Sequence, residues 1–368
     1  MRVSACQLGW VVAGLAWVMA AGGCGTKVED AEDVEDILGL DAGTLEGLTK
    51  IPVCGDMTLE ELSTQDTITD SCRAEIDNYL PEEQTSYQDV IVTLGTDTSS
   101  TDGSLLVYLH GADTAGNALT ADAFASATVT VTIAGEATVL AEGEFTVSLV
   151  ADVPRDLISL SIVNDYSGSM LVDDLRTVAQ LETDLFTVLP PVYEAEVTVF
   201  STEATLKQGF SSSRDELLAA VDYDAEYSRQ STALYDAVGA ALESLVSRTR
   251  PVRVLMVSTD GQENASEQYT QSELIDTIND NGVIVVMLGA LLADVDELRD
   301  LAGSRGVYFY TPYYSDMREL MAEYFNSLEQ MVELSIPEAY ADAEAIQIEV
   351  GEQSTTVEPQ AETASGSG

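Results

Sequence analysis

Apolar positions between residues 86 and 153 fall into short runs rich in β-branched side chains. Val90-Ile91-Val92, Leu105-Leu106-Val107-Tyr108-Leu109, residues 127–133 and residues 145–150 are the four runs. Several alternate apolar with polar, and clusters of Gly, Asp, Asn and Ser separate them. Period-2 alternation broken by turn residues predicts a small antiparallel β-sandwich over 86–153. Asp97, Asp102 and Asp113 stand in its turns, where a short carboxylate bonds its own backbone; turn chemistry accounts for them without calcium. Beyond Asp156 the period changes. Residues 157–163, 195–200, 252–258, 283–288 and 307–311 read as buried strands, and 203–210 as a further, antiparallel one. Between them 171–189, 214–221, 232–247, 271–279, 295–301 and 315–334 read as helices. This alternation predicts an α/β fold over 154–334: a doubly wound, mostly parallel sheet, preceded by the sandwich.

The flanks have a different composition. Residues 24–50 are acidic and poor in aromatics, and predict a solvated tether. Residues 51–85 hold Cys54, Cys72 and two short helical patterns, the second stopped by Pro81; they predict a small disulfide-stapled element. Residues 335–368 are acidic, end in Ser and Gly, and predict a largely disordered tail. Within that tail Ala345-Ile346-Gln347-Ile348-Glu349-Val350 alternates. A second reading therefore stands, in which 345–350 returns as a strand to the sandwich and makes the α/β domain an insertion.

Residues 1–23 stand apart from folding. Arg2 precedes an apolar run at 8–21, of signal-peptide length and short for a membrane span. Ala21-Gly22-Gly23-Cys24 resembles the bacterial lipoprotein cleavage box, although Leu is commoner where Ala21 stands. The resemblance implies cleavage before Cys24 and a diacylglycerol anchor on its sulfur. With Gly25 rather than Asp behind it, the anchor implies the bacterial outer membrane or cell surface; without lipidation the chain is secreted. Cys6 then leaves with the signal, and Cys54 and Cys72 remain as an even pair in an oxidising compartment. Their disulfide would contribute roughly 3 kcal/mol by the chain-entropy model; two free thiols are the alternative.

Charge narrows the function classes. The chain has 15 Lys and Arg against 64 Asp and Glu, a formal net charge of −49. So little positive charge excludes nucleic acid as a partner, because phosphates would go unneutralised.

Ligands of open α/β sheets bind outside the carboxyl ends of the strands, so the residues after each strong strand carry the candidate chemistry. Asp165-Tyr166-Ser167-Gly168-Ser169 follows the strand at 157–163. Asp260-Gly261 follows the strand at 252–258, and Gln230-Ser231-Thr232 opens the helix at 232–247. Carboxylates and small hydroxyls thus converge from three loops on one sheet edge. Hard divalent cations take oxygen ligands, and Mg²⁺ wants near-octahedral geometry. Small hydroxyls let the backbone wrap closely around such an ion. Residues two apart in Asp-x-Ser-x-Ser turn toward one point, and two carboxylates balance the charge while leaving a coordination position open. The order of these motifs resembles the metal-ion-dependent adhesion site of the von Willebrand factor type A (vWA) family.

That resemblance implies metal ligation by Asp165, Ser167, Ser169, Thr232 and Asp260. The metal implied is Mg²⁺, with Mn²⁺ or Ca²⁺ as alternatives, and the partner is a protein whose Asp or Glu carboxylate completes the shell. Two departures stand out. Gln230-Ser231 replaces the Gly-Gly frequent in the family, which makes Ser231 a rival of Thr232, and Tyr166 is expected to rim the site. Asp113-Thr114-Ala115-Gly116-Asn117 in turn resembles a turn of bacterial immunoglobulin-like repeats.

An enzymatic reading finds little support. The single His110 lies outside the α/β region and reads as a surface or strand residue. No Ser–His–Asp order and no phosphate-cradling Gly loop occurs, and no small-molecule substrate is implied. Two non-enzymatic readings follow. One is a surface or envelope lipoprotein that binds a protein ligand through the metal. The other is a periplasmic-side scaffold that assembles a membrane complex without adhesion.

Overall fold

The computed structural model describes residues 83–359 apart from 88–89, 98–99, 101, 142, 153–155, 171, 222–230, 261–262 and 291–292. Cys24, Cys54 and Cys72 lie outside the described residues, and with them the expected signal peptide, tether and disulfide.

The chain enters through β1 (Gln84–Thr85) and continues through β2 (Ile91–Asp97), β3 (Leu105–Gly111), α1 (Ala121–Ala125), β4 (Thr128–Ile133), β5 (Glu136–Val139) and β6 (Thr146–Leu149). The α/β part begins with β7 (Ile158–Asp165), α2 (Val172–Val188), β8 (Tyr193–Phe200), β9 (Ala204–Ser211), α3 (Arg214–Ala220) and α4 (Leu234–Val246). It continues with β10 (Val252–Thr259), α5 (Gln271–Asn281), β11 (Ile284–Ala290), α6 (Val295–Ala302), β12 (Val307–Thr311), α7 (Tyr314–Leu320) and α8 (Ala322–Glu329). Then come β13 (Val332–Ile336), β14 (Ala345–Val350) and β15 (Gln353–Val357).

The seven-stranded sheet runs β1-β12-β11-β10-β7-β8-β9. Its five central strands are parallel; β1 and β9 pair antiparallel at the edges. Side chains alternate across a strand, so each central strand feeds two cores. Ile284, Val286 and Leu288 of β11 pack with α2 and α7. Val285 and Met287 pack on the other face with α4, α5 and α6. Helix α5 begins with a capping box between Thr270 and Glu273 and ends at Gly282, whose φ of 60° is a left-handed cap that Gly adopts without strain.

The antiparallel module is a sandwich of two four-stranded sheets, β2-β3-β13-β6 and β15-β14-β4-β5. Leu105, Val107 and Leu109 of β3 meet Val129 and Val131 of β4 and Ile346 and Ile348 of β14 in its core. It takes strands from both sides of the α/β part, which is inserted between β6 and β13.

Three expectations change here. The helix expected over 315–334 ends at Glu329. Val332–Ile336 is a strand, because Val332, Leu334 and Ile336 enter the sandwich core while Glu333 and Ser335 stay partly exposed. The tail expected to be disordered instead supplies β14 and β15 as far as Val357. Exposed Gln347 and Glu349 alternate with Ile346 and Ile348, which are fully buried, so composition alone misrepresents it. Gln84–Thr85, assigned to the cysteine-bearing element, pairs with β12 of the α/β sheet.

The two modules share a core. Every residue of β3 is buried, and Leu106 and Tyr108 pack with Tyr324, Phe325 and Leu328 of α8. His110 is a strand residue, as one of its two readings had it, yet it is fully buried rather than at the surface. Its Nδ1 lies 2.9 Å from Ser327 Oγ, and the Tyr324 ring meets it edge-on at 5.3 Å. Burial pushes its pKa down to about 3, which keeps the imidazole neutral near pH 7. Gly95 allows β2 to approach the start of β10: a Cβ there would meet the Pro251 carbonyl oxygen at 2.6 Å. The turn aspartates bond backbone. Asp113 Oδ1 accepts from the Ala115 and Asn117 N–H groups at 2.9 Å each, and Asp102 Oδ1 accepts from Ser104 N–H at 3.0 Å.

Candidate metal centre

β7 and β10 are neighbours in the middle of the sheet, so the loops after Asp165 and Thr259 leave from one point on its carboxyl edge. Asp165 is fully buried. Its Oδ1 accepts from Ser167 N–H, and its Oδ2 accepts from the Thr259 hydroxyl, each at 2.7 Å. The Ser167 and Ser169 hydroxyls are 3.0 Å apart, and Ser169 donates to Asp260 Oδ1 at 2.7 Å. Four of the five expected ligands are thus joined in one chain of hydrogen bonds.

Thr232 arrives by its backbone. The next residue, Ala233, donates its N–H to the Ser201 carbonyl at 2.8 Å, just past the end of β8. Thr232 N–H donates to Asn264 Oδ1 at 2.9 Å. Its side chain takes no part in the hydrogen-bond chain of the other four. Thr232 is buried and Ser231 only half-buried. Tyr166, expected at the rim, is buried at 6 % exposure in the core shared with α2. The alternation that turns Asp165, Ser167 and Ser169 to one point sends the intervening ring the other way.

Residues 160–323 match the family described as von Willebrand factor type A domain. This segment is a vWA domain. No curated protein matches the chain. Among solved structures, the chain is similar to proximal thread matrix protein 1 from the mussel byssus, with a zinc-occupied metal-ion-dependent adhesion site motif. The identity is 19 %, the TM-score 0.45, and 53 % of this chain and 50 % of that one are covered. It is also similar to a von Willebrand factor type A protein from Catenulispora acidiphila, at 14 % identity and a TM-score of 0.41, over 68 % of this chain and 50 % of that one. A third similar structure is the conserved hypothetical protein BatB from Bacteroides thetaiotaomicron, at 17 % identity and a TM-score of 0.40, over 46 % of this chain and 98 % of that one. The chain spans about half the length of the mussel and Catenulispora proteins.

Electrostatics set this edge of the vWA domain apart. Burial pushes Asp165 up to about 6, against the hydrogen bonds from Ser167 and Thr259. Asp260 rises well above the ordinary carboxylate range, through burial first and then the charges of Asp165 and Asp174. Asp260 Oδ2 is buried without a hydrogen-bond partner. A buried, unpartnered oxygen beside like charges is costly, and a cation removes that cost. The donors are carboxylate and hydroxyl oxygens, the set a hard divalent cation takes. Among the described residues no three His, Cys, Asp or Glu side chains form a metal-holding group, so the fit depends on the hydroxyls.

Sequence reasoning missed four supporting residues: Thr259, Asn264, Asp174 and Tyr314. Adjacency to Asp260 could have flagged Thr259, and the acidic first turn of α2 could have flagged Asp174. Nothing local announces Asn264 or Tyr314. The Tyr314 hydroxyl lies 2.8 Å from the Thr259 carbonyl and 3.0 Å from that of Leu288, and ties the ends of two strands together.

Proposed function

We propose that the vWA domain binds a protein ligand through a divalent cation held by Asp165, Ser167, Ser169, Thr232 and Asp260. Mg²⁺ suits a cradle of small hydroxyls best, with Mn²⁺ and Ca²⁺ as alternatives. The cation supplies a positive centre to which an Asp or Glu carboxylate of the ligand binds. The chain's own residues do the positioning. Thr259 and the Ser167 N–H orient Asp165, and Ser169 orients Asp260. The observation that carries this reading is the buried, unpartnered Oδ2 of Asp260 in a site already negative from Asp165. The role is binding, without a catalytic step. We further propose export with a lipid anchor at Cys24, on the outer membrane or cell surface, and a disulfide between Cys54 and Cys72. The support for both is the sequence at 1–24 and the even pair of remaining thiols.

Calorimetric titration of Mg²⁺ into the full chain tests the metal. One site is expected in the wild type and none in Asp165→Ala or Asp260→Ala. A folded wild type that binds neither Mg²⁺, Mn²⁺ nor Ca²⁺ at millimolar concentration would sink the mechanism. Mass spectrometry of the N-terminal peptide tests the anchor: an unmodified Cys24 in membrane-purified protein contradicts it.

A further inference from the structure

A cleft of about 1560 Å³ opens at the other end of the sheet from the metal centre. It lies where β10, β11 and β12 begin, between the vWA domain and strands β2 and β15 of the sandwich. Pockets for small molecules typically measure about 300–1,000 Å³, so this one has room for something longer.

Its charge runs against that of the whole chain. Arg250, Arg253, Arg299 and Arg305 line it, four of the 15 cationic side chains in the sequence. Only three of the 64 carboxylates do so. In a chain of net charge −49 the lining side chains carry a small excess of positive charge. Arg250 pairs internally with Asp156 and Glu194, and Arg299 with Asp296. Arg253 donates from Nε and Nη2 to the Arg248 carbonyl and from Nη1 to that of Asn281, so its fork is engaged by backbone, while among the described residues no ion pair joins Arg305 to a carboxylate. Arg305 is exposed. The sandwich side adds Ser354, Thr355 and Thr356 of β15, an edge strand paired only with β14. An edge strand offers backbone N–H and C=O groups to an extended chain.

We propose that this cleft is a second binding site, for an extended, carboxylate-rich peptide segment of another protein, with its carboxylates on Arg299 and Arg305 and its backbone along β15. The planar guanidinium fork matches a carboxylate with two parallel hydrogen bonds. At about 0.15 M salt the screening length is roughly 8 Å, so the ligand senses the cleft's cations and little of the remote acidic surface. The cleft and the metal centre occupy opposite ends of the sheet, so the two sites can be filled together.

The test is fluorescence anisotropy of a labelled octaglutamate peptide with the full chain, at 0.15 M salt and with EDTA. The wild type should bind it and should leave octaglutamine unbound. The double variant Arg299→Glu/Arg305→Glu should bind at least about tenfold more weakly. Both side chains are exposed, so the fold should survive, and unchanged thermal unfolding would verify that. Asp165→Ala should bind as the wild type does, which separates this site from the proposed metal centre. Equal binding by the wild type and the double variant would overturn the proposal, and so would no binding by the wild type. One further arm is decisive. If only a variant with Glu29, Asp30, Glu32, Asp33, Glu35 and Asp36 changed to amides binds the peptide, the chain's own acidic stretch fills the cleft and the partner protein is ruled out.

Discussion

Buried carboxylates stand at both ends of the central sheet, and the fold treats them in opposite ways. At the carboxyl edge Asp165 and Asp260 are fully buried, surrounded by hydroxyls and a backbone N–H, and both are pushed above the ordinary carboxylate range. Near the amino edge Glu194 of β8 is buried as well. Ser159 donates to it at 2.8 Å, and the Arg248 guanidinium grips both of its oxygens at 2.8 Å each. Burial by itself would raise Glu194, but Arg248, Ser159 and Arg250 outweigh it and hold the group below its usual range. Glu194 is a completed ion pair. In the proposed reading Asp165 and Asp260 form half of one, and a bound cation supplies the other half. In a chain with 64 acids, a carboxylate says nothing by its presence. What singles out this site is two buried carboxylates close together without an internal counter-charge.

The largest effect is expected at Asp165. Mg²⁺ at about a hundred times its dissociation constant should stabilise the wild type by roughly 2.7 kcal/mol. Thermal unfolding with Mg²⁺ and with EDTA should show that gain in the wild type and none in Asp165→Ala. A full response in the variant would move the cation elsewhere.

Glu182 of α2 sharpens the contrast, because it is a buried acid that neither an arginine nor the candidate site accounts for. Neither of its carboxyl oxygens has a hydrogen-bond partner of ordinary geometry. Burial pushes it up to about 8, and nearby Asn164 and Lys207 offset only part of that. Below about pH 4.5 folded and unfolded chains both keep this proton, so the group leaves stability unchanged there. Between about pH 4.5 and 8 only the folded chain keeps it, the unfolded state binds fewer protons, and stability falls as pH rises. Glu182→Gln should therefore be close to neutral at low pH and stabilising by about 2 kcal/mol at pH 8. That is less than the full shift implies, since the amide is also buried. Denaturant unfolding across that range reads it; a gain that does not grow with pH contradicts the assignment.

The completed pair should behave differently. Arg248→Ala leaves Glu194 with only Arg250 as a cationic neighbour and should cost about 1 kcal/mol. The cost is modest because the Arg248 side chain is 37 % exposed. It should be the same with and without Mg²⁺, and a Mg²⁺-dependent cost would mean the two ends of the sheet are coupled. The smallest effect is expected at Thr232. Thr232→Val should change stability in EDTA by no more than about 1 kcal/mol, while raising the Mg²⁺ concentration needed for the thermal shift. An unaltered Mg²⁺ dependence removes Thr232 from the ligand set.

Much of the fold was legible because the α/β part is built from locally declared elements. A fully buried parallel strand shows as a continuous apolar run, and 157–163 and 252–258 show it plainly. The candidate ligands were legible for the same reason, since each lies directly after a strand or at a helix start. Val332–Ile336 was not, because its short alternation follows a helical pattern without a break and can be read as one more helical turn. β14 and β15 were obscured because they are short, carry polar residues such as Gln347, Glu349, Ser354 and Thr356 on their exposed face, and lie in an acidic stretch.

Most helices and strands of the α/β part, the change of period between the two modules, and the oxygen-bearing residues after the strand ends are legible in the chain alone. Periodicity, turn chemistry and motif order are properties of neighbours along the chain, and they can be read there. Only the tertiary structure decided that the vWA domain is inserted into the sandwich, that Tyr166 and His110 are buried, and which acids receive a counter-charge. Ser169 meets Asp260 from 91 residues away, and Arg248 meets Glu194 from 54. Whether a buried charge is balanced depends on such distant side chains, because an electrostatic cost is set by distance in space and by exclusion of water, and neither is written locally in the chain.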